Sequence, residues 1–290
     1  MPKKAPVSTT PHELYFLGAG GGRVVVDLQL LPTGGWRYHS PDFNLHVDPG
    51  PGALYLSAKH KLNNRKLDGV FVSHNHLDHV NDANALIEAM AFVPGVLNDE
   101  FKAPKKGALV CSPSVLQDVT APTGHRFQQS VHDYFLNMLE RVAPLTAGQS
   151  IEWKEKKAKL TAVRADHEDP TAIGFVLEHA GIKLGYTADT QMFEGISKQF
   201  EGCTHLVANA LRPDGDRVPY HLCMDDLVEL VNGMKRKPKT ILLSHRGQKV
   251  IRAGPAAQAR KVQQATGVQT RVADEGLRVD LSETPLSAFG

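Results

Sequence analysis

The chain has 290 residues, enough to bury a sizeable core as one large α/β domain or two small ones. Its content, 41% hydrophobic and 22% charged, is that of an ordinary soluble globular protein, and no stretch approaches the roughly 18 consecutive apolar residues of a membrane span. A formal charge of +2 gives no sign of a large nucleic-acid footprint, although it leaves room for a local basic patch.

The three cysteines, Cys111, Cys203 and Cys223, are far apart and form no CxxC pair, which fits a reducing compartment better than a disulfide framework. Residues 1–11 carry two lysines but no apolar run, so they read as a short flexible lead and not as a signal peptide. Residues 12–290 are expected to form a single domain, located in the cytoplasm and without a membrane partner.

In chain order, the apolar runs 13–17 and 23–28 flank a glycine cluster, Gly18-Ala19-Gly20-Gly21-Gly22, and predict strand, turn, strand. A dinucleotide-binding fingerprint needs a helix after the glycines, so the structural reading of this cluster is preferred. Residues 43–47 predict a strand ending in Asp48-Pro49-Gly50-Pro51-Gly52, a stiff turn. Residues 69–72 predict a strand, 85–92 a helix, 108–111 a strand and 128–141 a helix. A β-rich stretch follows, with strands at 159–163, 173–177, 183–187 and 205–208. The end alternates: helix 224–231, strand 240–243, helix 255–265, strands 268–272 and 277–281. No sequence repeat is present. Strands followed by helices in each half suit two sheets packed face to face with helices outside.

The strongest chemical signal is Ser73-His74-Asn75-His76-Leu77-Asp78-His79, directly after a strand. In an extended turn residues i and i+2 point the same way, so His74 and His76 can bind one ion. As the chain enters a helix, Asp78 and His79 can face a second. The plain alternative is a polar loop facing water, and it is weakened by candidates at three later strand ends: His167, Asp189 and His245. Strand ends on one edge of a sheet converge on a common crevice.

At these residues the sequence resembles the metallo-β-lactamase superfamily over nearly its whole length. The family's HxHxDH motif matches His74, His76, Asp78 and His79, and its later ligands match His167, Asp189 and His245. Asp48 looks like the aspartate that supports the ligands from behind. The resemblance implies a four-layer αββα sandwich of the α/β class and a binuclear centre. One site would consist of His74, His76 and His167, the other of Asp78, His79 and His245, with Asp189 bridging. Imidazole and carboxylate donors suit zinc, and also manganese or iron. Two such ions about 3.5–4 Å apart can share a hydroxide for hydrolysis.

His221 narrows the expectation. Ribonuclease Z and related phosphodiesterases carry a histidine at a similar distance before the last ligand, where it can protonate the leaving oxygen; the glycine-rich opening is similar too. By this resemblance His221 and Asp78 are the expected catalytic residues. The plain alternative for His221 is a residue packed at a helix start, beside Asp225 and Asp226. The match at His221 departs in one place, since Cys223 stands where that branch has threonine or serine. A second departure counts against a tRNA-processing enzyme. Only 21 residues (168 to 188) separate His167 from Asp189, too few for a tRNA-holding arm. The extra length lies between His79 and His167, where Lys102, Lys105, Lys106 and Arg126 are interspersed with acids and read as solvated surface. The expected activity is hydrolysis of a small or cyclic phosphodiester. The alternatives are a carboxyl-ester, lactone or thioester hydrolase, a tRNA 3′ endonuclease, and a non-catalytic metal-binding module. Relatives of this kind often form homodimers, which is the oligomeric expectation.

Overall fold

A computed structural model of the chain describes residues 12–92 and 104–282; the expected lead at 1–11 and Lys102 lie outside these described residues. The first sheet contains β1 (Glu13–Phe16), β2 (Trp36–His39), β3 (Asn44–Val47), β4 (Gly69–Val72), β5 (Ala108–Cys111), β8 (Arg141–Pro144) and β17 (Arg278–Asp280), in the order β17-β1-β2-β3-β4-β5-β8. A separate hairpin, β6 (Val119–Thr120) and β7 (Arg126–Phe127), projects between β5 and β8. The second sheet has the order β16-β15-β13-β12-β11-β10-β9. Its strands are β9 (Ser150–Trp153), β10 (Ala158–Arg164), β11 (Ile173–His179), β12 (Ile182–Tyr186), β13 (His205–Arg212), β15 (Thr240–Ser244) and β16 (Gln269–Val272), with β14 (Leu222–Cys223) paired to β13 alone.

The two sheets repeat one plan. Each begins with antiparallel neighbours, up to β3 in the first and β12 in the second, and continues with parallel ones. The central parallel strands β4, β5 and β15 are covered on both faces, so their sequences are largely apolar throughout and alternate only in which layer they fill, whereas the edge strands β8 and β16 are partly exposed. In β4, Phe71 enters the core between the sheets while Val70 and Val72 face the helices. In β15, Leu242 faces the other sheet while Ile241 and Leu243 face outward. The outer layer on the first sheet is supplied by α2 (Ala53–Lys59) and α4 (Ala83–Ala91). On the second it comes from α6 (Ile196–Gln199), α7 (Met224–Asn232), α8 (Gln248–Ala253) and α9 (Pro255–Thr266). This is the expected αββα sandwich. No helix among the described residues is long and apolar enough to cross a membrane.

Two expectations fail. Residues 23–28 form a short helix, α1 (Arg23–Asp27), despite their run of valines. Strand β1 is already paired on both sides, so the chain leaving it finds no free edge there; α1 satisfies its own amides instead, with Val25 and Val26 N–H donating to Gly22 O. Residues 128–141 contain only a single helical turn, α5 (Asp133–Leu136). The segment before it is held to Val115 O by the amides of Ser130 and Val131, and Arg141 opens β8. Strand β2 and helix α2 carried no sequence prediction.

His46, on β3, is fully buried, and its tautomer is set by its partners. Arg37 Nε donates to Nδ1 at 3.1 Å, so the ring is neutral and Nε2 donates to the Gly34 carbonyl at 3.0 Å. Burial first, and then the Arg37 charge, holds its pKa well below the usual histidine value. The unfolded chain takes up a proton near about pH 6.5 that the folded chain refuses, so this contribution to stability is present above that pH and lost as pH falls. Urea denaturation of His46→Gln is expected to show a shallower loss of stability than the parent between about pH 6.5 and about pH 5. An unchanged slope would assign the acid sensitivity to other groups.

Candidate metal centre

Strands β10 and β12 both run antiparallel to β11, so their C-terminal ends lie on one edge with those of β13 and β15. His167 follows β10, Asp189 follows β12 and His245 follows β15. In the first sheet Asp48 follows β3 and His74 follows β4, while α3 (Leu77–Val80) carries Asp78 and His79. The face-to-face packing of the sheets brings these ends together.

His74 Nε2 lies 3.0 Å from His76 Nδ1, which lies 3.1 Å from His167 Nε2. His79 Nε2 lies 3.1 Å from His245 Nε2, and His245 Nε2 is 3.1 Å from both Asp78 Oδ2 and Asp189 Oδ2. Asp189 belongs to neither group alone: with His74 and His79, and again with His167 and His221, it offers ligand atoms within 4.8 Å of one another.

The outward-facing nitrogens decide what the inner ones can do. Ser73 Oγ donates to Asp48 Oδ2 at 2.7 Å, so it accepts from His74 Nδ1 at 3.0 Å. His79 Nδ1 donates to Asp48 Oδ2 at 2.8 Å, and His167 Nδ1 to the Tyr220 carbonyl at 3.0 Å. In the neutral rings each Nε2 therefore presents a lone pair to the centre. Ligands about 2.0–2.1 Å from a tetrahedral ion would be roughly 3.3 Å apart, close to the spacing of His74, His76 and His167. The residues present thus fit a divalent ion in each cluster.

Electrostatics point the same way. Burial, reinforced by neighbouring imidazoles, holds His74 well below the usual pKa, and burial lowers His167 to about 4, so both rings are neutral donors. Burial alone would lower His79, but Asp189, Asp78 and Asp48 hold it well above its ordinary value. Burial alone would raise Asp189, but His245 and His79 keep it ionised. The carboxylates favour a cation at this point, whether a proton on the ring or a metal ion in its place.

The supporting residues were largely outside the sequence reading. Asp48 Oδ2 also accepts from Tyr186 Oη at 2.5 Å, and Asp48 Oδ1 from the Ser73 amide at 2.7 Å. Asn209 donates to Asp189 Oδ1 at 2.7 Å, leaving Oδ2 for the centre. Asp169, fully buried, accepts from the Asn75 amide and from Ser114 Oγ, tying the HxHxDH loop to the turn after His167. Gln191 accepts from the Tyr220 amide at 2.9 Å and donates to Asp166, fixing the turn that carries His221. Of these only Asp48 was expected, through the family resemblance; the others are ordinary core or loop residues until the sheets meet.

The glycine cluster has a structural task, as expected, though a helix and not a strand follows it. A Cβ on Gly21 would lie 2.3 Å from the His245 ring, so only glycine lets the loop close over that residue. The Gly22 amide donates to Asp78 Oδ2 at 3.0 Å. Four of the eight non-glycine residues with positive φ among those described are Asp48, Ala188, Tyr220 and His245, all in this centre or bracing it. Such conformations cost about 1–3 kcal/mol each and persist where the surroundings over-determine them.

The family model described as the beta-lactamase superfamily domain matches residues 43–246, a span that contains every one of these ligand candidates. The chain belongs to the beta-lactamase superfamily. It is 33% identical over 269 residues to an uncharacterized protein of Methanocaldococcus jannaschii, covering 93% of this chain and 95% of the relative. Among solved structures it resembles YhfI, a metallo-beta-lactamase fold protein from Bacillus subtilis, with TM-score 0.67, 17% identity and coverage of 93% and 99% of the two chains. It also resembles a diphosphatase from the PhnP family, with TM-score 0.61, 15% identity and coverage of 92% and 96%. At these identities the two structures bear on the fold. Superfamily membership and the histidine–aspartate clusters together support a metal-dependent hydrolase.

Asp48 accepts hydrogen bonds from Ser73, His79 and Tyr186 at once, so it orients ligands from both clusters. Asp48→Asn is expected to lower divalent-metal affinity by about 10–100-fold. Chelator-competition titration measures this; an affinity equal to the parent's would show that the ligands are oriented without the carboxylate.

Proposed function

We propose that this protein is a binuclear metal phosphodiesterase acting on small or cyclic phosphodiesters. In this reading His74, His76 and His167 hold one ion, Asp78, His79 and His245 the other, and Asp189 bridges them, with zinc as the metal. Bound divalent ions would polarise the phosphoryl oxygens and lower the pKa of bound water to about 7.

The observation that carries the reading is the position of His221. Its Nε2 lies 3.3 Å from Asp189 Oδ2, and its ring is 5.2 Å from His167 and 6.0 Å from His245. The helix-start role that competed with catalysis is filled by another residue: the Cys223 amide donates to Asp226 Oδ2 at 2.9 Å in the capping box of α7. His221 Nδ1 faces the Pro219 carbonyl at 3.3 Å and Nε2 faces a carboxylate. Both neighbours are acceptors, and although burial opposes it, the hydrogen bond to Asp189 raises the pKa of the ring above the usual value. His221 can therefore hold a proton at Nε2 and deliver it to a leaving alkoxide. Asp78, its carboxylate kept ionised against burial by His79 and His245, is given the ligand role and that of an acceptor orienting the attacking water.

The surroundings of the centre support a small substrate. The 21 residues between His167 and Asp189 are taken up by β11 and β12 and their connections, without an arm. In the insertion, Arg126 pairs with Asp118 at 3.5 Å and Lys106 bonds to the Arg65 carbonyl, which supports solvated surface over a basic track.

Protein reconstituted with zinc is expected to hold about two ions per chain by elemental analysis, and Asp189→Ala fewer, with severe loss of activity. One ion in the parent would overturn the bridged centre. The reconstituted enzyme should hydrolyse bis-p-nitrophenyl phosphate or a cyclic nucleotide and trim precursor tRNA weakly or not at all. His221→Ala should lose about 10²–10⁴-fold on alkyl phosphodiesters and far less on nitrophenyl esters at unchanged metal content. Equal losses would remove the acid role, and rapid lactone or thioester turnover without phosphodiester hydrolysis would replace the reaction class.

A further inference from the structure

The insertion between His79 and His167 places one element against the centre. In the β6–β7 hairpin the Ala121 amide donates to His125 O at 2.8 Å, and the tip turns at Pro122-Thr123-Gly124, where Gly124 has φ 87°. Phe127 is buried with its ring 5.4 Å from that of His76, and His125 lies 6.3 Å from the same ring. The hairpin is fixed to the ligand loop: Asn75, between His74 and His76, donates to the carbonyls of Ser114 at 2.7 Å and Gln128 at 2.6 Å and accepts from Ser130 Oγ.

His125 stacks on Phe127 with the rings 4.5 Å apart and 8° from parallel. One face of the imidazole is therefore covered, while the side chain stays 45% exposed, which leaves room for a second ring to stack on it. Beside it stands Glu168, the residue after His167. Its Oε1 accepts from Thr123 Oγ1 at 3.1 Å and lies 3.5 Å from His125 Nδ1. Its Oε2, 3.8 Å from His76 Nε2, retains accepting capacity. A flat apolar face, a carboxylate acceptor at its edge and a candidate metal ligand within one ring's width form a coherent set.

We propose that His125, stacked on Phe127, and Glu168 form a subsite for a planar heteroaromatic ring bearing hydrogen-bond donors, a purine with an amino group above all, whose attached phosphate lies at the histidine–aspartate centre. This rests on the phosphodiesterase reading and names its substrate class: a nucleotide. The ring stacks on His125 opposite Phe127, its amino group donates to Glu168, and the hairpin, held at its base by Asn75, sets its distance from His76. Stacking is tolerant of ring identity, so Glu168 supplies the preference for donors over acceptors at the ring edge.

The test is direct binding to the zinc-loaded protein by calorimetry, with AMP and ribose 5-phosphate as probes. AMP should bind about tenfold or more tightly than ribose 5-phosphate. His125→Ala should abolish the difference while leaving ribose 5-phosphate binding unchanged, and His125→Phe, which keeps a stacking face, should preserve it. Glu168→Gln should weaken AMP more than inosine monophosphate, whose ring carries a carbonyl in place of the amino group. No preference for AMP in the parent, or one that survives His125→Ala, would overturn the subsite. A short oligoadenylate that outcompetes AMP would overturn the assignment to a small nucleotide in favour of a nucleic-acid end. If the preference behaves as expected but no phosphodiester is hydrolysed, the subsite stands and the proposed reaction fails.

Discussion

The carboxylate of Asp48 sits where the ends of the two sheets meet, and it accepts from Ser73, His79 and Tyr186 within a few ångströms. Ser73 and His79 come from the ligand segment after β4, and Tyr186 from the last residue of β12. One buried charge thus fixes the orientation of His79, sets the donor direction of Ser73 and through it His74, and pins the second sheet to the first. An ionised group at this depth is tolerable only when fully hydrogen-bonded, so the network around it cannot loosen one member at a time. The inward lone pairs of His74 and His79 depend on this arrangement, because each is left over after the outward nitrogen has found its acceptor in Ser73 or Asp48.

Backbone conformation carries the rest of the load. Ala188, with φ 54°, turns the chain so that Asp189 points inward, and Thr187 Oγ1 holds that turn by donating to Ala188 O. Tyr220, with φ 67°, delivers its carbonyl to His167 while its amide is held by Gln191. A single turn therefore orients a ligand candidate and presents His221. The glycine loop completes the rim, since the absence of a side chain at Gly21 is what allows close packing on His245.

The rim of the candidate centre is shaped by the segments that connect its strands. Between His167 and Asp189 the connection is two strands, which keeps the second sheet's edge low. Between His79 and His167 the chain makes room for a hairpin attached to the centre through Asn75, Glu168 and the packing of Phe127 on His76. A rigid core with a variable rim is the usual division of labour on a fold that hosts many reactions, because loops can change without disturbing the packed strands beneath them.

Much of this protein was legible in its residues. The apolar runs of β4, β5 and β15 are continuous because those strands are covered on both faces, and hydrophobicity reports burial directly. The seven ligand candidates were visible because imidazoles and carboxylates at strand ends are costly to bury without a purpose. The valines of α1 misled, since β-propensity cannot say whether a sheet edge is free, and residues 128–141 misled because helical composition does not count the backbone partners available nearby. Asp48 was within reach, but Tyr186, Asn209, Asp169 and Gln191 were not: each is an unremarkable residue whose partner lies on a distant strand or turn. Sequence determined which groups could bind metal, because that depends on side-chain chemistry and local spacing. Only the tertiary structure decided which nitrogen of each ring faces inward and that His125 and Glu168 share a wall with His76, because those facts depend on how separate strand ends meet.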